Sequence, residues 1–177
     1  SLYFGAGSLM ARHFKLTADG GSRGNPGPAG YGAVVTEGGK IVAELFDVIG
    51  TATNNVAEYN GLLAGLSHIH KLDADATVEV AMDSKLVVEQ MSGRWQIKHA
   101  DMRDLAKQCR EAHSPSLVKY SWIPRDENSH ADRLANKALD GESAHKPAAV
   151  IQQNYLTDRL RSAETPTFIY FVRHGET

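Results

Sequence analysis

Four acidic residues stand at positions where an acid with a purely structural role would be unusual. Asp19 ends the first predicted strand and Asp83 ends the fourth, while Glu58 and Asp132 lie in the first turns of two predicted helices. Carboxylates that converge in one cleft repel one another, and divalent cations relieve that repulsion. Oxygen-only ligands suit Mg²⁺ or Mn²⁺. Two such ions about 3.5–4 Å apart form the clamp that is used to hydrolyse phosphodiesters.

Each of these acids also has a structural explanation. Glu58 follows Asn55 by three residues, so the two could form a capping box. Asp83 could cap the helix that follows it, and Asp132 is favoured by the dipole of its own helix. Asp19 could stabilise the glycine turn after it. These explanations leave unexplained why two strand ends and two helix starts should all carry acids, and this coincidence favours the metal site.

The hydrophobic pattern predicts an α/β domain with the element order βββαβααβα. Strands are predicted at 13–19, 31–36, 40–49, 77–82 and 117–123, and a glycine- and proline-rich segment at 20–30 breaks the pattern between the first two. Helices are predicted after residue 55 and at 84–91, 102–113 and 128–139. This order predicts a five-stranded mixed sheet that is flanked by helices.

The composition is that of an ordinary globular protein. With 177 residues, 42% hydrophobic and 23% charged, the chain is expected to form one main domain, and disorder is disfavoured. The one cysteine, Cys109, excludes an intramolecular disulfide framework and, with no membrane span or secretory leader recognised, indicates the cytoplasm. A net charge of -2 disfavours binding of nucleic acid through bulk positive charge, so any such site must be local.

Four segments, at 17–32, 52–58, 82–84 and 128–135, resemble the motifs of the type 1 ribonuclease H family and occur in that family's order. The resemblance extends from about residue 12 to residue 141. It implies the ribonuclease H-like fold over a domain at 10–141. It also implies an endonuclease that cuts the RNA strand of RNA/DNA hybrids and leaves 5′-phosphate and 3′-hydroxyl ends.

The resemblance gives each of the four acids a role. Asp19, Glu58, Asp83 and Asp132 would be catalytic ligands of two Mg²⁺ or Mn²⁺ ions, with Asp19 bridging both. A water activated by one cation would attack in line, and the second cation would stabilise the leaving 3′ oxygen.

Substrate contacts are implied in the same way. A hybrid differs from DNA in the 2′-hydroxyls that it displays in a shallow minor groove, and amide side chains can both donate to and accept from them. The contacts carried over by resemblance are Gly20, Gly21, Asn25, Thr53, Asn54 and Asn55. The alternatives are that the asparagine pair caps a helix and that the glycines serve only the turn.

The loop after the last strand departs from the family pattern. Many members carry a histidine there, thought to help product release, whereas this chain has Arg125. A guanidinium can contact a phosphate but cannot shuttle protons. His130 lies nearer to the helix, where an ordinary solvated residue is the alternative interpretation.

The segment at 93–102 departs as well, because some members insert a basic helix there that binds the hybrid. In this chain Trp95 could lie against a sugar or base, and Lys98 could contact phosphates. A solvated surface is the alternative. We expect hybrid binding to be weaker and more sensitive to salt than in members with the insertion.

The two ends of the chain are predicted to lie outside the main domain. Residues 1–9 are interpreted as an expression scar and residues 142–166 as a linker. Residues 167–177 combine an apolar strand with Arg173 and His174, and resemble the truncated start of a histidine phosphatase domain. The whole arrangement resembles bacterial bifunctional proteins that join a ribonuclease H to an acid phosphatase, and this fragment is expected to lack phosphatase activity.

Two further questions stay open at this stage. A monomer is expected, and pairing of the C-terminal strand with another copy would instead give a dimer. The alternative to a ribonuclease is a hybrid-binding module with weak catalysis that locates the phosphatase. The presence of all four carboxylates favours the enzyme.

Overall fold

A computed structural model of the protein describes residues 11–141. The expression scar predicted at 1–9, the linker at 142–166 and the phosphatase strand at 167–177 lie outside the described residues. Within 11–141, no helix has the length and apolar character that are needed to cross a bilayer.

The predicted order βββαβααβα is confirmed. The strands are β1 (His13–Ser22), β2 (Gly27–Glu37), β3 (Lys40–Ala52), β4 (Thr77–Met82) and β5 (Val118–Trp122). The helices are α1 (Asn54–Leu72), α2 (Lys85–Met91), α3 (Ala100–Ala112) and α4 (Ser129–Leu139). Short 3-10 turns at Pro115–Leu117 and Arg125–Glu127 precede and follow β5.

The five strands form one mixed sheet, as predicted, and their order across the sheet is β3-β2-β1-β4-β5. β1 pairs antiparallel with β2, and β2 with β3, whereas the β1–β4 and β4–β5 pairs are parallel. Ala18 in β1 is level with Met82 in β4. The residues that follow them, Asp19 and Asp83, therefore lie side by side where the parallel pairing of β1 with β4 ends. Asp19 lies inside β1, so the prediction that it ends the first strand is wrong.

Successive side chains in a strand point to opposite faces of the sheet, and both faces are covered here. Val35 belongs to the main core, which α1, α2 and α3 complete with residues such as Leu62 and Val87. Its neighbour Val34 packs on the other face against Leu134 of α4. The acids on α1 and α4 thus approach the same end of the sheet from opposite faces.

The glycine-rich segment is more regular than predicted. β1 continues through the first glycines to Ser22, and β2 begins at Gly27, so only four residues separate the strands. A Cβ atom at Gly20 would overlap the backbone of Ala57 in α1, and one at Gly32 would overlap the backbone of α4. The glycines are therefore strand residues that let both helices pack closely on the sheet.

Candidate active site

All four predicted carboxylates line one cleft of about 420 Å³ beside the point where β4 ends and β1 continues past it. Each comes from a different element: Asp19 from β1, Glu58 from α1, Asp83 from the residue after β4, and Asp132 from the first turn of α4. Arg125 also lines the cleft. The other lining residues are Gly20, Gly21, Ser22, Arg23, Asn54, Asn55, Ala135, Asn136 and Leu139.

Asp19 is buried, and its surroundings disfavour its charged form. It is only 8% exposed, and its Oδ1 accepts a hydrogen bond from the backbone N–H of Gly20 at 2.9 Å. Burial, the nearby charge of Asp83 and a hydrogen bond with Asp132 together raise the pKa of Asp19 to about 8. These groups repel one another in a desolvated site, which is the condition that a bound cation relieves.

Glu58 is perturbed in the same direction. Burial raises its pKa to about 7 and the charge of Asp83 adds to the rise, while a hydrogen bond from Ser84 and the charge of Arg125 oppose it. Arg125 is therefore close enough to act electrostatically on the carboxylates. A positive charge supplied from the loop after β5 reaches the same cleft.

The structure assigns the helix caps to residues other than these acids. The hydroxyl of Thr53 caps α1 by accepting from Val56 N–H at 3.3 Å, and Ser84 caps α2. A capping box on Thr53 would need its acid at Val56, so the capping explanation of Glu58 is wrong. The capping explanation of Asp83 is also wrong, because Ser84 is the residue that caps α2. Asp132 does lie in the first turn of α4, so the dipole explanation still applies to it.

Asn128 is a site residue that the sequence reasoning missed. It is 2% exposed, and its amide donates to Asp83 Oδ1 at 2.7 Å and to the carbonyl of Ala18 at 2.9 Å. It thus joins the residue before Asp19 to the carboxylate of Asp83. Its own Oδ1 is buried with no hydrogen-bond partner among the described residues. The available signal was its position four residues before Asp132, where it was interpreted only as a helix start.

The donor set fits hard divalent cations in its chemistry. Every candidate ligand is a carboxylate oxygen, the preference of Mg²⁺ and Mn²⁺. Within residues 11–141, no group of three or more acidic, histidine or cysteine side chains is already arranged closely enough to hold an ion. Mg²⁺ is usually held by one or two carboxylates together with water and substrate phosphates, so an open arrangement of this kind suits it.

The predicted substrate residues at the mouth of the cleft are linked to one another. Asn25 Oδ1 accepts from the backbone N–H of Asn54 at 3.1 Å, and Asn54 Oδ1 accepts from Ser22 N–H at 2.8 Å. Both amide oxygens are thereby engaged, which leaves each NH₂ group as the part that can reach outward. Asn55 lies beside them in the first turn of α1. Thr53 is 4% exposed and serves as the cap of that helix.

The remaining predicted residues are not brought into this cleft. Trp95 and Lys98 lie on the exposed segment between α2 and α3, where Trp95 is 45% exposed. Arg94 makes a two-bond ion pair with Glu89 at 2.7 and 2.9 Å, which ties that segment to α2. His130 contacts Glu44 of β3 through its Nε2 at 2.5 Å and is not one of the residues that line the cleft.

The chain is similar in sequence to known proteins over most of the described residues. Residues 17–138 match the family model described as reverse transcriptase-like. Over 172 residues the chain is 48% identical to "Bifunctional protein Rv2228c" of Mycobacterium tuberculosis, an alignment that covers 92% of this chain and 47% of that protein. The chain therefore spans about half the length of this relative and of the other mycobacterial relatives that it matches at the same identity.

Solved structures agree in fold and in sequence. The N-terminal RNase H domain of Rv2228c, solved as a fusion with maltose-binding protein, is 53% identical with a TM-score of 0.69, covering 73% of this chain and 95% of that one. LC11-RNase H1, solved in complex with an RNA/DNA hybrid, is 37% identical with a TM-score of 0.67, covering 72% and 96%. The fold, the motifs and these relatives together establish that the chain belongs to the ribonuclease H family of enzymes.

Proposed function

We propose that this chain hydrolyses the RNA strand of RNA/DNA hybrids, with two divalent cations as cofactors. The observation that carries the proposal is the meeting of Asp19, Glu58, Asp83 and Asp132 in one cleft, from four different elements. A purely structural role gives no reason to bury Asp19 next to Asp83, where burial and the neighbouring charge raise the pKa of Asp19 to about 8. Membership of the ribonuclease H family supports the same reaction.

Mg²⁺ or Mn²⁺ would be held by the four carboxylates, with Asp19 placed centrally between Asp83 and Asp132. When bound, such ions lower the pKa of the attacking water and neutralise charge on the leaving oxygen. Hydrolysis of this kind leaves a 5′-phosphate and a 3′-hydroxyl. The contribution of the chain is to hold the carboxylates together and correctly oriented, and a bound cation would favour their ionised form.

Two further residues support that task. Asn128 donates to Asp83 Oδ1 at 2.7 Å, which leaves the other oxygen of Asp83 to face the cleft. Arg125 lines the cleft and lowers the pKa of Glu58 through its charge. We propose that its guanidinium contacts a phosphate of the substrate, in place of the histidine that many family members carry. It cannot act as a proton shuttle.

Recognition of the hybrid is proposed to begin at the mouth of the cleft. The NH₂ groups of Asn25 and Asn54 can donate to 2′-oxygens or base edges in the minor groove, with Asn55 beside them. Gly20 and Gly21 keep the approach to Asp19 clear of side chains. The RNA/DNA hybrid in the LC11-RNase H1 structure supports this class of ligand.

A second contact region is proposed at Trp95 and Lys98. Both are exposed and lie on a segment that the Glu89–Arg94 ion pair holds in place. An indole and an ammonium at this spacing suit a sugar or base and a neighbouring phosphate. Thr53 is proposed to act indirectly, because its hydroxyl is used to begin the helix that carries the asparagines.

For the longer protein, we propose a ribonuclease H domain at 10–141, a linker at 142–166 and the start of a histidine phosphatase domain at 167–177. The name and length of the bifunctional mycobacterial relative support this arrangement. We further propose that the chain is a monomer and that it is cytoplasmic. Its one cysteine, Cys109, is a buried free thiol, which supports a reducing compartment.

Asp83→Asn tests the assignment of the site. This change keeps the size of the side chain and an oxygen that can accept a hydrogen bond, but it removes the negative charge of one proposed metal ligand. Cleavage should therefore fall by roughly 100-fold or more. The circular dichroism spectrum and hybrid binding should stay unchanged. Asp104→Asn, an exposed acid on α3, is the matched control and should retain full activity. Wild-type cleavage by Asp83→Asn would overturn the assignment. Ligation of the products to a 3′-hydroxyl acceptor would verify their 5′-phosphates.

A further inference from the structure

A pair of histidines lies away from the carboxylate cleft, where the ends of two helices meet the start of a strand. His70 is in the last turn of α1, and His113 directly follows α3. His113 is 1% exposed, and its Nε2 lies 2.7 Å from the carbonyl oxygen of Ala76, just before β4. A carbonyl oxygen only accepts, so Nε2 of His113 carries the proton and donates it. In neutral His113, Nδ1 is then the nitrogen with the lone pair.

That lone pair faces the other histidine. Nδ1 of His113 lies 3.3 Å from Nδ1 of His70, and the two rings meet edge to face at 82°. N–H donors usually lie about 2.7–3.2 Å from an oxygen acceptor, so 3.3 Å is long for a hydrogen bond. Two nitrogens bound to one tetrahedral zinc ion at about 2.0–2.1 Å stand about 3.3–3.4 Å apart. The separation still allows a hydrogen bond between the two rings, and it also equals that of two ligands to a shared ion.

The surroundings of the pair suit a cation. The hydrogen bond from His113 to Ala76 fixes the ring and its tautomer, as carbonyls do for histidines that bind metals. Asp73 lies nearby: backbone hydrogen bonds from Asp75 and Arg12 lower its pKa, and the charge of His113 adds to the effect. Its carboxylate therefore supplies negative charge close to the rings. His70 is exposed, which gives an ion a path from solvent to the buried Nδ1 of His113.

We propose that His70 and His113 form a second metal site, which binds a transition-metal ion of the Zn²⁺ class through their two Nδ1 atoms. Imidazole ligands favour Zn²⁺, Cu²⁺ and Ni²⁺, whereas the oxygen-only cleft favours Mg²⁺ and Mn²⁺, so the two sites differ in selectivity. No third protein ligand completes the set within residues 11–141, and water takes the remaining positions. A bound ion would clip the end of α1 to the end of α3.

Calorimetric titration of the full chain with ZnCl₂ tests the site, using His70→Ala and His68→Ala. His68 lies on the same helix, two residues away, and so controls for the loss of an imidazole from α1. Wild type and His68→Ala should bind one Zn²⁺ that His70→Ala binds at least about 10–100-fold more weakly. Added Zn²⁺ should also raise the melting temperature of the first two proteins above that of His70→Ala.

Other results would contradict the proposal. Identical titrations for all three proteins would place the zinc elsewhere, for example on the carboxylates. An equal loss in both variants would show that the effect belongs to the helix rather than to the pair. The absence of any zinc binding to wild type would overturn the site outright.

Discussion

At the scale of single residues, the site is a set of acids held in an unfavourable state. Asp19 is buried beside Asp83, hydrogen-bonded with Asp132 and close to Glu58. The pKa of Asp19 rises to about 8 and that of Glu58 to about 7, so at neutral pH these groups resist ionisation until a cation compensates them. The acids that the proposed reaction needs therefore lower the stability of the metal-free protein. Such a trade-off between activity and stability is common at functional sites.

Asp19→Asn should stabilise the protein in the presence of a chelator while removing activity. Because the pKa of Asp19 is raised to about 8 in the folded protein, ionising this group lowers the free energy of unfolding. The loss is absent below about pH 4, grows between about pH 4 and 8, and is complete above about pH 8. The gain in melting temperature of the variant should follow this curve and reach roughly 2–8 °C. Thermal unfolding in EDTA from pH 4 to 9 measures it.

Asp104→Asn is the control for that experiment, since it removes an exposed acid from α3. Its melting temperature should differ little from wild type at every pH. A gain for Asp19→Asn that was independent of pH, or a loss of stability at pH 8, would refute the electrostatic explanation. Added Mg²⁺ should raise the melting temperature of wild type more than that of Asp19→Asn.

Asn128→Ala should damage both the fold and the reaction. It leaves the oxygens of Asp83 and Ala18 without their donor, at a cost of about 1–3 kcal/mol, and frees Asp83 to rotate. We expect kcat to fall by about tenfold or more with KM little changed, because the residue orients a ligand and does not contact the substrate.

Steady-state kinetics and urea unfolding measure the two effects. Asn60→Ala is the matched control, because the amide of Asn60 donates within its own helix, to the carbonyl of Val56 at 2.8 Å. Its kcat should stay close to that of wild type. An Asn128→Ala enzyme with wild-type kcat would show that Asp83 needs no such support.

At the scale of elements, the cleft exists because helices approach the sheet unusually closely. A Cβ atom at Gly20 would overlap Ala57, the residue before Glu58, so the separation of β1 and α1 sets the distance between Asp19 and Glu58. At Gly21 a Cβ would meet only Asn54 Oδ1 at 3.7 Å, an ordinary contact. Adjacent residues of one strand thus differ sharply in the space around them.

Gly20→Ala should destabilise the fold by about 1–3 kcal/mol or more, because the overlap is with backbone that cannot move aside. Gly21→Ala should change the free energy of unfolding by far less, and it controls for the entropic effect of replacing a glycine in this strand. Urea unfolding of both variants is the measurement. Equal stabilities would mean that α1 does not pack on Gly20 as described.

Much of this arrangement was predictable from the sequence. The bounds of β4, at 77–82, agree with the structure because its apolar run is bounded on the C-terminal side by Asp83. The bounds of β1 and β2 were too short, because glycine weakens a strand locally and the reason for it, contact with two helices, is tertiary. The role of Asn128 was not predictable from local sequence, because its partner Ala18 lies 110 residues away along the chain.

At the scale of the whole molecule, net charge is unfavourable for binding nucleic acid. The chain has 19 basic and 21 acidic residues, so the proposed attraction to a hybrid would depend on a few local cations such as Lys98 and Arg125. Binding through a few phosphate contacts is weak and falls with salt in proportion to their number.

The affinity of Asp83→Asn protein for a hybrid should therefore fall by roughly tenfold between about 50 and 200 mM salt. This variant is expected to bind the hybrid without cutting it, so its affinity can be measured by fluorescence anisotropy. Adding Lys98→Ala should lower the slope of log Kd against log salt by about one, whereas Lys71→Ala, at the far end of α1, should leave it unchanged. An affinity that hardly varied with salt would contradict the phosphate contacts.

The most direct test of the central claim is cleavage by the full chain of an end-labelled RNA/DNA hybrid, beside matched DNA and RNA duplexes, with Mg²⁺, Mn²⁺ or EDTA. We predict cutting of the RNA strand of the hybrid alone, only when a divalent cation is present. No cutting in either cation, with the hybrid still bound, would contradict the account and identify the chain as a binding module.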